Sequence, residues 1–210
     1  MPLNPYSWNV IVAGRWNRAI LTPQGIAARL FRLSADTPLE IEVPIDALGP
    51  YRVSHNGITV IATSRHLIVE PQQLTFAELS RAMETSRIAV HDLPETPLAA
   101  VGINVRYSTA DASESLRQLV GHAWDAELSD QQFAIQKRSV GRSIQWEQGV
   151  VNITVSQQAA EFQLEFNIER RSQHVAEHDE WLSRPPNMIR ELVQRILATI
   201  HNDCGDIANE

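Results

Sequence analysis

Two stretches of strict alternation between apolar and polar side chains constrain the fold more than any other feature of the sequence. In residues 39–46 every second residue is apolar, and those between are acidic or proline. In residues 161–169 phenylalanine, leucine and isoleucine alternate with glutamine, glutamate and asparagine. Because successive side chains of a β-strand point to opposite faces, each stretch should bury one face and leave the other polar. The sequence therefore predicts an antiparallel sheet with one covered face.

The elements of the first half of the chain are marked by turn and capping residues. Asn56-Gly57, between two β-rich runs, predicts a type I′ hairpin turn. Thr22 precedes a proline, and Thr75 precedes Glu78 by three residues, so both predict helix N-termini. Residues 1–93 are expected to contain a strand near 8–16, a helix at 22–30, strands at 39–46, 51–55, 58–62 and 66–70, and a helix at 75–93 with the apolar stripe Phe76, Leu79, Met83 and Ile88.

Residues 97–201 predict the same order of elements. A strand at 98–107 precedes a helix that opens near Ser113. The sequence Pro185-Pro186 begins a last helix, which carries Met188, Ile189, Leu192, Ile196 and Ile200. Prolines in residues 91–97 suit a connection between the halves, and residues 202–210 are expected to form a flexible tail. Between the two helices, strands are expected at 131–138, 143–147, 150–156 and 160–169.

Each half is thus predicted to contain a strand, a helix, four strands and a long helix in this order. This is an α+β pattern with helices on one face of antiparallel sheets. This order resembles the duplicated saddle of the TATA-binding-protein fold, and the resemblance in topology covers most of the chain. The same order of elements is also compatible with one domain that contains both halves. The alternative is an α+β domain without internal duplication.

A second resemblance is confined to residues 93–107. Their sequence, LPETPLAAVGINVRY, is similar to the opening of a sporadically distributed family of uncharacterised bacterial proteins. The stretch is short, and the resemblance implies no activity.

The open face of such a sheet would carry the polar residues of the alternating strands. A saddle that grips DNA needs basic side chains and apolar wedges on this face. Here the residues are acidic and amidic, so the fold resemblance does not imply DNA binding. The face is predicted either to receive a basic protein or peptide or to be an ordinary solvated surface. Its members are Glu40, Glu42 and Asp46 in the first half, and the candidate binding residues Gln145, Glu147, Asn152, Thr154, Gln163, Glu165, Asn167 and Glu169 in the second.

Residues 174–178, HVAEH, match the H-x-x-E-H pattern of inverted zinc peptidases at His174, Glu177 and His178. In a helix, positions i and i+4 would bring the two imidazoles together. A catalytic zinc needs a third protein ligand, however, and downstream only Glu191 and the terminal residues are available. The simpler interpretation is a solvated connection that contains histidines by chance, and no metal site is predicted.

Composition reduces the number of functional classes that fit the sequence. The 25 acidic and 18 basic residues give a net charge of −7, which disfavours a general nucleic-acid binder. The single cysteine, Cys204, excludes an intrachain disulfide and favours a reducing cytoplasm. The sequence has no run of about 20 apolar residues, so it predicts no membrane-spanning helix. The five tryptophans are predicted to be core or interface anchors.

The sequence therefore predicts a non-enzymatic, cytoplasmic protein-binding adaptor or regulatory partner without a cofactor. It contains no phosphate-binding loop, dinucleotide fingerprint, nucleophile elbow or paired cysteines. Two alternatives stay open. One is a metal-dependent hydrolase that uses His174 and His178. The other is a nucleic-acid binder that uses the local basic clusters Lys137-Arg138-Arg142 and Arg170-Arg171. The sequence predicts no oligomeric state.

Overall fold

The computed structural model describes residues 3–44 and 49–200 and has the predicted α+β architecture. In this part of the chain, ten strands form one antiparallel sheet, and six helices accompany it. The strands are β1 (Asn4–Pro5), β2 (Asn9–Gly14), β3 (Glu40–Glu42), β4 (Arg52–His55), β5 (Ile58–Ala62), β6 (His66–Pro71), β7 (Leu98–Thr109), β8 (Lys137–Trp146), β9 (Gly149–Gln158) and β10 (Glu161–Arg171). The helices are α1 (Pro23–Arg29), α2 (Phe76–Asp92), α3 (Glu114–Val120), α4 (Trp124–Asp130), α5 (Val175–Leu182) and α6 (Pro186–Ile200).

The two halves of the chain share a single sheet. Its strand order is β3-β4-β5-β6-β2-β7-β10-β9-β8, and β1 pairs with one end of β7. Strands β2 and β7 lie side by side near the centre, and each also pairs with the last strand of its own half, β6 or β10. Internal duplication stays a prediction. The two ends of this sheet are β3 and β8.

The predicted order of elements holds in the first half and is wrong in the second. Residues 4–92 add only the two-residue β1 to the expected strand, helix, four strands and helix. In the second half, the two strands predicted at 131–138 and 143–147 are one strand, β8, which begins at Lys137. Phe133 lies outside it and is 59% exposed, so its alternation with polar neighbours does not reflect a buried strand face. Helices α4 and α5 were also not predicted.

Local signals explain the turns and helix starts that were predicted correctly. Asn56 and Gly57 both have positive φ, 47° and 79°, as a type I′ turn requires. The hydroxyl oxygens of Thr22, Thr75 and Ser113 accept hydrogen bonds from backbone N–H groups in the first turns of α1, α2 and α3, at 3.1, 3.2 and 3.2 Å. Each cap satisfies a backbone donor that the helix itself leaves without a partner.

The core lies between the helices and one face of the sheet. A cross-strand row on that face, from β6 to β9, is 0% exposed throughout, and burial of each such side chain contributes about 1.5–3 kcal/mol. The row consists of Val69, Val10, Ile103, Ile168 and Val151.

The helix stripe predicted for α2 faces this core. Phe76, Leu79 and Met83 are buried, and Ile88 is partly buried against the core.

The opposite face of the sheet, called here the open face, carries no helix in the described part of the chain. Within residues 3–44 and 49–200, no helix is long and apolar enough to cross a membrane.

Candidate functional site

Most of the predicted binding residues lie together on the open face. The register places Thr154 opposite Glu165 and Asn152 opposite Asn167, on β9 and β10. Gln163, Glu169 and Gln145 share this face by the alternation of β10 and β8. Glu147 does not: it lies in the two-residue turn between β8 and β9 and pairs with Arg184. Glu40 and Glu42 lie on β3, whereas Asp46 is outside the described residues.

A row of four amide side chains and one serine hydroxyl crosses five strands of the open face. We call it the amide ladder; Ser143 donates to Asn152 at 2.7 Å, and Asn152 donates to Asn167 at 3.1 Å. Asn167 donates to Asn104, and Asn104 to Asn9, each at 2.8 Å. Asn152, Asn167 and Asn104 each donate and accept, and Asn9 accepts at the end of the row, so the ladder provides partners for side chains that are only 5% exposed at Asn104 and 7% at Asn9. Sequence patterns did not identify Asn9 and Asn104, because only the strand register reveals the row.

A shallow recess of about 430 Å³ lies beside the ladder. Its floor is open because Gly102 has no side chain: a Cβ there would lie 2.9 Å from Nδ2 of Asn167. Its rim includes His66, Glu169 and Arg171. Arg171 forms an ion pair with Glu169, and this hydrogen bond raises the pKa of the arginine. The recess therefore offers amides and one neutralised ion pair rather than an unbalanced charge.

Three further carboxylates of the open face, Glu42, Glu70 and Glu165, lie close to arginines. Arg52 bridges Glu42 and Glu70, with N–O distances of 3.1 and 2.8 Å. Glu165 lies 3.7 Å from Arg106 and accepts a hydrogen bond from the Tyr6 hydroxyl at 3.4 Å. Burial, aided by this carboxylate, raises the pKa of Tyr6 to about 12. Arginines from neighbouring strands thus offset part of the acidic charge of this face, and the expectation of a basic partner there stays a prediction.

The HVAEH segment folds as a supporting helix. His174 precedes α5 with extended backbone, whereas His178 is 0% exposed. Nε2 of His178 lies 2.9 Å from the Ser172 carbonyl oxygen, so this nitrogen carries the proton and donates it. Burial lowers the pKa of His178, and the hydrogen bond from Arg170 lowers the pKa of Glu177.

This geometry changes the interpretation of the segment. The expectation of a solvated connection is wrong for α5, because Trp181 and Leu182 are buried beside His178 and draw the helix into the core. In the described residues, no three histidine, cysteine, aspartate or glutamate side chains are grouped to hold a metal ion.

Burial separates the five tryptophans into core and surface positions. Trp8, Trp16 and Trp181 are 1–4% exposed and belong to the core. Trp146 is half-buried and meets Trp181 edge-on, with ring centroids 5.4 Å apart. Trp124, on α4, is 66% exposed. It is therefore the tryptophan that suits an interface anchor.

Strand β8 forms one edge of the sheet, and in the described chain it pairs only with β9. The hairpin closes with Trp146 opposite Gly149 across two residues, so Trp146 exchanges backbone hydrogen bonds with Gly149. Because hydrogen-bonded and non-hydrogen-bonded pairs alternate along an antiparallel ladder, the even-numbered residues of β8 bond to β9. The N–H and C=O groups of its odd-numbered residues point away from the sheet. These outward residues are Ser139, Gly141, Ser143 and Gln145, with Lys137 at the start of the strand.

Exposed apolar side chains accompany this edge. Of the large apolar side chains that the described residues expose, five lie between positions 119 and 144. Two of them, Leu119 on α3 and Ile144 on β8, line a cavity of about 260 Å³ on the helix side of the edge, which we call the flank groove. The other three are Trp124, Leu128 and Phe133.

The basic clusters named as an alternative nucleic-acid site are largely neutralised. Arg138 pairs with Asp125 at 2.5 Å, and Arg170 and Arg171 pair with Glu177 and Glu169. In the described residues, Lys137 and Arg142 form no ion pair. Two isolated cations do not make the phosphate-coating surface that nucleic-acid binding requires.

A scan against protein-family models and searches of curated proteins and of solved structures found no match.

Proposed function

We propose that this chain is a protein-binding adaptor or regulatory partner that receives an extended segment of another protein on the edge of β8. The observation that carries the proposal is a ten-residue edge strand whose outward backbone groups pair with no other strand of the described chain, beside exposed apolar side chains. Unpaired edge backbone offers a row of donors and acceptors to a strand from another chain.

The side chains of β8 favour such addition. Ser139, Gly141 and Ser143, at the middle of the strand, are small and exposed, so they leave room for an approaching backbone. Edge strands that resist pairing are usually short, covered, bulged, charged or interrupted by proline. Strand β8 has ten residues, no proline and a regular register with β9, and its charged residues, Lys137, Arg138 and Arg142, are all basic, so they repel basic segments and not acidic ones.

The neighbouring apolar side chains would add binding energy to the backbone hydrogen bonds of an added strand. Aromatic side chains are enriched among residues that dominate binding energy at protein interfaces. Trp124 and Phe133 expose 66% and 59% of their surface near this edge. The single cysteine of the sequence supports a reducing compartment such as the cytoplasm as the place of action.

The experiment compares two substitutions at one position. Gly141→Pro removes an outward N–H and adds a ring to the edge, while the β8–β9 hydrogen bonds stay intact, since proline is tolerated on edge strands. Gly141→Ala is the matched control, because its Cβ would meet only the Ile153 carbonyl oxygen, at 3.9 Å. Circular dichroism and a urea unfolding curve first establish that both variants are folded.

Tagged wild-type protein and both variants are then used to capture partners from the native host, and the partner that elutes in fixed ratio is purified and titrated by calorimetry. We expect Gly141→Ala to bind as the wild type does. Gly141→Pro should bind about tenfold more weakly, because one backbone hydrogen bond to the partner is lost and the proline ring obstructs its approach. Equal affinity of the proline variant, or no stoichiometric protein partner of the wild type, would overturn the proposal.

A further inference from the structure

We infer that the β8 edge recognises an extended segment with the pattern apolar–x–carboxylate–x–apolar, in which Asp or Glu sits two residues from an apolar residue on each side. This inference rests on the proposed strand addition at β8 and adds the chemistry of the partner. It follows from the order of side chains on the helix-side face of the strand.

The helix-side face of β8 has an apolar–basic–apolar order. Val140, Arg142 and Ile144 are two residues apart and therefore share one face. All three line the flank groove, together with Leu119, Ile196 and Ile200. A strand added to the edge would place its own helix-side residues directly opposite these three, at the same two-residue spacing. Because the pattern is symmetric, it is the same for a parallel and for an antiparallel partner.

Arg142 requires the central position to be acidic. Its side chain is exposed, and the hydrogen bond it makes is to the carbonyl oxygen of Gly141, its own neighbour, at 2.7 Å. It forms no ion pair in the described residues, whereas Arg138, on the same strand, has Asp125. Opposite charges that face each other across neighbouring strands stabilise the pairing, and like charges destabilise it.

The flank groove requires the outer two positions to be apolar. Its lining is aliphatic apart from Arg142 and Thr199, and Leu119 and Ile144 are 37% and 38% exposed beside it. A volume of about 260 Å³ accommodates aliphatic side chains that lean from an added strand towards α3 and α6. Water would be displaced from this surface, which is the main favourable term in most protein association.

Charge also separates this partner from a second copy of the chain. Strand β8 carries Lys137, Arg138 and Arg142 and no carboxylate. Two β8 edges would therefore bring together two sets of cations, whereas an acidic segment neutralises one. The protein as a whole carries a net charge of −7, so this basic strand is a local exception on an acidic molecule.

The test uses three synthetic, end-blocked heptapeptides of alternating threonine and valine that differ only at the central residue, which is Glu, Gln or Lys. Their affinities are measured by NMR titration of the ¹⁵N-labelled protein, for the wild type and the variants Arg142→Glu, Arg138→Glu and Gly141→Pro. We expect the wild type to prefer the Glu peptide to the Gln peptide by up to about fivefold, which corresponds to the upper end of the energies of exposed ion pairs. Arg142→Glu should reverse the preference towards the Lys peptide, and Arg138→Glu should leave the order unchanged. Gly141→Pro should weaken all three peptides.

The remaining outcomes overturn the inference in distinguishable ways. If all three peptides bind equally and Gly141→Pro weakens them, strand addition holds and the recognition of a carboxylate is wrong. If no peptide binds although the captured partner still depends on Gly141, only the pattern is wrong. If the peptides bind and Gly141→Pro has no effect, both the pattern and the edge are wrong. Sedimentation of the free protein as a dimer that Gly141→Pro dissociates would show that a second copy occupies the edge instead.

Discussion

The two edges of the sheet differ in length, charge and covering, although both belong to the same ten-stranded structure. Strand β3 has three residues, and its two carboxylates, Glu40 and Glu42, flank Ile41. Strand β8 has ten residues, and small side chains occupy its outward positions. A three-residue strand offers few backbone groups to a partner, and its carboxylates repel acidic segments; a long strand with small outward residues and basic side chains offers a template to such segments. The difference indicates that pairing is prevented at β3 and permitted at β8.

The support under the β8–β9 hairpin makes this edge rigid enough to act as a template. At the turn, Trp181 packs against Trp146, and the guanidinium of Arg184 lies 4.2 Å from the Trp181 ring. Arg184 in turn pairs with Glu147 in the turn itself. The helix that carries the HVAEH sequence therefore holds the closed end of the hairpin. The following predictions test that support and then the contrast between the edges.

The largest effect is expected from removal of the supporting ring. Trp181→Ala replaces a side chain that is 1% exposed, and the cavity should lower the free energy of unfolding by about 3–5 kcal/mol. Urea denaturation measures this change. Trp124→Ala, at 66% exposure, is the control and should change stability by less than about 0.5 kcal/mol. Equal stability losses in the two variants would contradict the role given to Trp181.

A smaller loss is expected where the hairpin touches that ring. A Cβ on Gly149 would lie 2.4 Å from Cη2 of Trp181 and 2.5 Å from the Glu169 carbonyl oxygen. Gly149→Ala should therefore cost about 1–3 kcal/mol of stability through overpacking. Gly141→Ala, on the open stretch of the same hairpin, should be within about 0.5 kcal/mol of the wild type. Thermal unfolding of both variants decides, and a neutral Gly149→Ala would mean that the ring moves aside.

Acid should weaken the same support. Burial lowers the folded-state pKa of His178, so below the unfolded-state pKa of about 6.5 the unfolded chain binds more protons than the folded one. This contribution favours folding fully above that pH and is lost progressively as the pH falls towards the folded-state value. The free energy of unfolding, measured by urea denaturation at several pH values between 7.5 and 5, should therefore fall less steeply with falling pH in His178→Gln than in the wild type. His174→Gln is the control and should follow the wild-type curve, and identical pH profiles of His178→Gln and wild type would refute the assignment.

Features with a local cause could be predicted from the sequence, and features set by register could not. The turn at Asn56-Gly57 and the cap at Thr75 depend on their own backbone, and alternation in residues 161–169 identifies β10 directly. The amide ladder depends on which strands are neighbours, and so does the position of β8 at an edge. The burial of His178 depends on Trp181 three residues later, which turns a polar-looking helix towards the core.

The candidate site divides in the same way. The polar face was predicted as a set of residues, but the arginines that offset part of its charge were not. Arg52 and Arg106 reach its carboxylates from other strands, and this pairing depends on the register. The edge that remains unpaired carries its information in backbone groups, which have no sequence signature of their own.

The smallest effect is expected at the opposite edge and completes the comparison. His55 and Ile58 flank the two-residue turn and bond to each other, so Val53 also bonds to β5. Ile41 lies opposite Val53, and its N–H therefore points away from β4. Ile41→Pro therefore removes an outward donor from β3 in the way that Gly141→Pro removes one from β8. If β3 is the protected edge, the captured partner should bind Ile41→Pro with unchanged affinity in the same calorimetric titration. Equal weakening by the two prolines would mean that the partner contacts both edges, and that length and charge do not distinguish them.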